Sequence, residues 1–131
     1  EGESVGSFGS ADLNLPTAIS AVGEDVYVLD TGLRRVHIFT ASGRLRGHLK
    51  FEGVPFPSAF AFDAGRKLSF VGNPGLGVIQ GFDQKENNVA TFGSLGDAAD
   101  QIRKIDSLYV DSASRVYVVD SHNAKILIFG K

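Results

Sequence analysis

A chain of 131 residues with 43 % apolar side chains can bury a real hydrophobic core, and no run in it reaches the roughly 18–20 apolar residues of a membrane-spanning helix. A net charge of −2 provides no overall field toward nucleic acid or an anionic membrane surface. With no cysteine, disulfides, thiolate chemistry and cysteine-linked haem are excluded.

The chain starts at Glu1 and contains no methionine, which suggests a processed start and an extracellular or periplasmic location. Its first pattern, Ser4-Val5-Gly6-Ser7-Phe8-Gly9, reads as the end of a strand and is similar to Val89-Ala90-Thr91-Phe92-Gly93 further on. Strands are then expected at 17–21, 26–29, 36–40 and 45–51. The runs Val26-Tyr27-Val28-Leu29 and Val36-His37-Ile38-Phe39 are β-branched, aromatic and bounded by turn residues. Between these two runs, Asp30-Thr31-Gly32 supplies a carboxylate for backbone N–H groups and a glycine for positive φ. A second set follows at 59–62, 67–71, 78–82 and 88–92, with Gly72-Asn73-Pro74-Gly75 as its turn. One helical turn is conceivable at 98–104. A third set, 107–110, 116–119 and 126–129, carries the turn Asp120-Ser121-His122-Asn123.

The three sets are one repeat. Phe39, Phe82 and Phe129 close them, 43 and then 47 positions apart, and Asp30 and Asp120 are 90 apart. Four short strands in about 40 to 45 residues is the arithmetic of a propeller blade. The order of hydrophobic strand, Asp turn and hydrophobic return strand resembles the NHL repeat, closely in the first and third sets and more loosely in the second. That resemblance implies an all-β fold of NHL type with three blades, and a single segment over 1–131. Residues 1–9 would be an outer strand completing a blade, 10–52 blade 1, 53–93 blade 2, and 94–131 blade 3 without its outer strand.

Three blades do not comfortably close a ring, since propellers have about four to eight. The expected partner is therefore the chain itself, as a dimer or head-to-tail assembly, or the other half of a propeller. The assembly strand would be Ser4, Val5, Ser7 and Phe8, which leads to a non-catalytic module that binds another protein or itself.

Other readings are weaker. Asp30-Thr31-Gly32 is also the triplet of retroviral-type aspartic proteases, where two copies share a proton, but Leu33-Arg34-Arg35 follows it and Asp120-Ser121 repeats it as a turn. His37, His48 and His122 have no metal-ligand spacing, and no catalytic residue, metal or cofactor is expected. A propeller-type lyase or hydrolase, with its site in a central channel, is the alternative. Arg44, Arg46, His48 and Lys50 alternate, which would put them on one strand face. Five Lys or Arg and no acid lie between Thr31 and Phe51. A polyanion or RNA stripe is thus a further alternative, although nucleic acid is not the expected partner of an acidic chain. Gly72-Asn73-Pro74-Gly75-Leu76-Gly77 opens no helix, so it is a turn and not a phosphate loop.

Overall fold

The structure is a computed structural model that describes residues 2–130. Eleven antiparallel strands form three sheets among the described residues. Blade 1 contains β1 (Pro16–Val22), β2 (Asp25–Asp30), β3 (Arg35–Thr40) and β4 (Leu45–Leu49), paired in chain order. Blade 2 contains β5 (Phe60–Asp63), β6 (Leu68–Asn73), β7 (Val78–Phe82) and β8 (Asn88–Phe92). Blade 3 contains β9 (Ser107–Val110), β10 (Val116–Asp120) and β11 (Lys125–Phe129). The first strands of the three blades lie side by side, β1 against β5 and β5 against β9, so the blades fan outward from a common inner edge. These strands fall close to the expected ones.

The continuous apolar runs are explained by burial on both faces, because each middle blade surface packs on a neighbour. Between blades 1 and 2 lie Leu29, Val36, Phe51, Phe60, Val71 and Phe82. Between blades 2 and 3 lie Phe70, Ile79, Ile102, Ile105, Val116 and Val118. Strand alternation assigns each side chain to one of these layers. In β6, for example, Phe70 belongs to one core and Val71 to the other.

Two local expectations are corrected. Residues 98–104 form no helical turn: a backbone bond from Gln101 N–H to Ala98 O makes a tight turn, and Leu95 bridges Ile102 in parallel. Positive φ falls on Arg34 (62°), the last residue of its turn, rather than on Gly32, and likewise on Ala124 (52°) in blade 3. The matching position in blade 2 is Gly77, at φ 65°. Residues 4–9 form no strand within the single chain, and the expected outer strand would pair with the edge of another blade outside it.

Gly77 is required for a second reason. A Cβ there would lie 2.5 Å from the Leu95 Cα and 2.7 Å from its backbone nitrogen. Gly77→Ala therefore combines left-handed strain with a clash against rigid backbone, and is expected to destabilise by more than about 2 kcal/mol. A urea midpoint unchanged from the wild type would contradict this.

Candidate assembly surface

The aspartate turns are structural locks. The Asp30 side chain is fully buried, and its carboxylate accepts the N–H groups of Asn14 (2.7 Å), Leu15 (3.0 Å) and Leu33 (3.0 Å). Asp120 repeats this with the N–H groups of Arg103 (2.8 Å), Lys104 (3.1 Å) and Asn123 (3.2 Å). In both cases burial alone would raise the carboxyl pKa, but the backbone donors outweigh it and hold the group below its ordinary value. The carboxylate thus ties the incoming loop to the turn it precedes. Asp30 carries the lone pairs a protease would need into backbone bonds, which explains the triplet without catalysis.

Blade 2 puts a neutral group at this position and reverses the direction of bonding. Asn73 occupies the aspartate position, and its Nδ2 donates to Gly53 O (3.1 Å) and to Gln80 Oε1 (2.9 Å). His37 holds the Gln80 position in blade 1 and is buried in β3. Its Nε2 lies 3.8 Å from Asp30 Oδ2, too far for a hydrogen bond, and neither ring nitrogen has a protein partner. Burial, together with Arg35 and His48, lowers the His37 pKa against the opposing pull of Asp30 and Asp12. Hence a neutral imidazole sits where blade 2 has an amide. His122 is in an exposed turn, and no three His, Asp or Glu side chains converge among the described residues in a way that could hold a metal.

The basic segment is not a single stripe. Arg44, Arg46, His48 and Lys50 are exposed, but β4 carries a bulge: Ile38 pairs with Gly47 while Phe39 pairs with Leu45. A bulge inserts one extra residue and breaks the alternation of faces. Arg46 consequently pairs with Asp25 on the Tyr27 side of the sheet, whereas His48 lies by His37 on the other, with ring centroids 6.5 Å apart. The Lys50 N–H binds the Glu86 carboxylate at the junction with blade 2. The cleft at that junction is lined by Arg34, Lys50 and Lys85 and also by Glu52 and Glu86, so its charge is mixed.

The N-terminal segment follows the path of a blade connection. Phe8 packs on Phe39 with ring centroids 5.1 Å apart. This repeats Phe51 on Phe82 (5.0 Å) and Phe92 on Phe129 (4.8 Å), where the first ring leaves an outer strand and the second closes the third strand of the next blade. Gly9 (φ 94°) then turns over Leu13 as Gly93 (φ 91°) turns over Ile102. Asn14 and Leu15 reach Asp30 as Arg103 and Lys104 reach Asp120. Phe8, Leu13, Pro16, Ile19 and Val28 line a shallow apolar hollow of about 320 Å³ on the free face of blade 1. Ser4, Val5 and Ser7 are exposed beyond it.

Comparison with known proteins agrees with this architecture. No protein-family model matches the chain, and no curated protein matches it in sequence. Among solved structures it is similar to virginiamycin B lyase from Staphylococcus aureus (TM-score 0.58, 9 % identity, covering 87 % of this chain and 40 % of that one). It is also similar to the calcium-binding protein regucalcin from Agrobacterium tumefaciens (TM-score 0.62, 17 % identity, 91 % and 46 %). A third similar structure is a luciferin-regenerating enzyme (TM-score 0.62, 16 % identity, 86 % and 39 %). The chain is an all-β, propeller-type protein. It spans less than half the length of each of these structures, and at such identities the likeness is one of fold. No helix among the described residues is long and apolar enough to cross a membrane.

Proposed function

We propose that this chain is a non-catalytic module of an NHL-type propeller, and that its activity is to bind further blades through its two end faces. The observation that carries this reading is the exposure of matched positions. Ile19 in β1 occupies the position of Phe60 in β5, yet it is 69 % exposed where Phe60 is 3 % exposed. At the other end Ile126 occupies the position of Val36, and is 57 % exposed where Val36 is fully buried. Ile128, 58 % exposed, and Tyr109 complete that second face. Repeat arrays bury such faces against neighbours, and contiguous apolar patches of this kind mark interaction sites. The recurrence of Asp30, Asn73 and Asp120 at the end of the second strand supports the NHL assignment.

Light scattering tests the reading. The chain is expected to associate, and Ile126→Lys/Ile128→Lys, which leaves blade interiors untouched, is expected to abolish association because burying two unpaired ammonium groups is costly. A wild-type chain that stays monomeric at every accessible concentration would sink it.

A further inference from the structure

The partner that fits these faces best is a second copy of the same chain, and we infer that residues 4–8 add to it as a fourth strand beside β11. This rests on the face-binding reading above and goes further, in naming the partner and the register.

Three observations carry it. First, the two free faces are the two halves of a contact this chain already makes. The free face of blade 3 presents Tyr117, Val119, Ile126 and Ile128. These occupy the positions of Tyr27, Leu29, Val36 and Ile38, the blade 1 face that covers blade 2. The free face of blade 1 presents Ile19 in the position of Phe60, with the buried Val28 in the position of Val71, the surface that face covers. Second, β11 pairs only with β10 among the described residues, so its outer edge offers unpaired N–H and C=O groups to an incoming strand. Third, Phe8 already stands where an outer strand delivers its phenylalanine to the following blade, and the chain from Phe8 to Leu15 tracks the chain from Phe92 to Lys104.

The register follows from β7 and β8, where Ile79 pairs with Phe92, Gln80 with Thr91 and Gly81 with Ala90. Carried over to β11, it sets Phe8 opposite Ile126, Ser7 opposite Leu127 and Gly6 opposite Ile128 of the second copy. Val5 takes the bulge that Val89 occupies between Asn88 and Ala90. In that register Phe8 lies over the free face of blade 3 and still touches Phe39 of its own chain, so one ring seals both sides of the junction. Two copies exchanging this strand give a six-bladed ring with two-fold symmetry, within the usual range of blade numbers.

Because the chain has no cysteine, crosslinking tests the register directly. Two double variants are oxidised in solution: Ser7→Cys/Leu127→Cys and Phe8→Cys/Ile126→Cys. Adjacent antiparallel pairs alternate between narrow and wide spacing, so one of the two has the closer approach that a disulfide needs. The expected result is a two-chain species on a non-reducing gel from at least one of them, and none from Ser7→Cys/Tyr109→Cys. Light scattering of the unmodified chain should give the mass of two chains, lost when residues 1–9 are removed. Association blocked by Ile126→Lys/Ile128→Lys, but indifferent to residues 1–9 and yielding neither crosslink, would overturn the strand addition and leave the face-binding reading standing. A soluble monomer would overturn both, assigning the faces to blades that this chain does not supply.

Discussion

Asp120→Ala and Asp30→Ala are each expected to destabilise the protein by at least about 3 kcal/mol, since each leaves three backbone N–H groups without an acceptor and an unmet buried donor costs about 1–3 kcal/mol. For a domain whose whole stability is about 5–15 kcal/mol, that is a large fraction. The asparagine variants should lose less, because one side-chain oxygen remains to accept loop N–H groups. Denaturant unfolding of the four variants tests the ranking. Equal losses for Ala and Asn would mean that the negative charge, not the acceptor geometry, is what the loop requires.

The same carboxylates set the response to acid. Asp30 and Asp120 are held below 3.8 in the folded protein. Asp111, bonded by the Arg115 N–H and then by the Arg115 and Tyr117 side chains, is held at about 2. A group depressed on folding contributes stability above its unfolded pKa and loses it as pH falls through the folded one. The melting temperature is therefore expected to be flat near neutrality and to fall from 3.8 downward, with the Asp111 contribution lost by about 2. A melting temperature that held steady across that window would contradict the hydrogen-bonded carboxylates.

Phe82→Ala is the second large expected effect, about 3–5 kcal/mol, the usual cost of removing a buried phenylalanine together with the cavity it leaves. Phe82 is almost wholly buried between blades 1 and 2, against Phe51. Phe129→Ala, at the same position of blade 3, should cost clearly less in the isolated chain, because Phe129 is only partly covered by the described residues. If the two variants unfolded at equal denaturant, the junction of blades 2 and 3 would be as tightly packed as the junction of blades 1 and 2.

Most of the strand order was legible in the sequence because hairpins are specified locally, by β-branched runs and by the Asp turns between them. What sequence alone missed depends on contacts or on backbone geometry. The bulge at Arg46 is a backbone event that no side-chain alternation reveals, and it divides the basic residues between two faces. Positive φ went to Arg34 and Ala124 because the last turn residue must reverse the chain, whatever its identity, while Gly32 is held in place close to Asn14. The placement of His37 beside Asp30 was hidden because it only acquires meaning beside Asn73 and Gln80, two blades read together. The role of Phe8 was half visible: its likeness to Phe92 could be read, but its contact with Phe39 could not.

The staggered phenylalanines have a consequence for how the molecule comes apart. Each sheet lends a ring to the one after it, Phe51 to Phe82 and Phe92 to Phe129. A sheet that opened alone would strip an aromatic cover from its neighbour. The unit that opens cooperatively is therefore a junction and not a blade, so amide exchange should release β4 together with β7, and β8 together with β11, in pairs that cross the sheet boundaries.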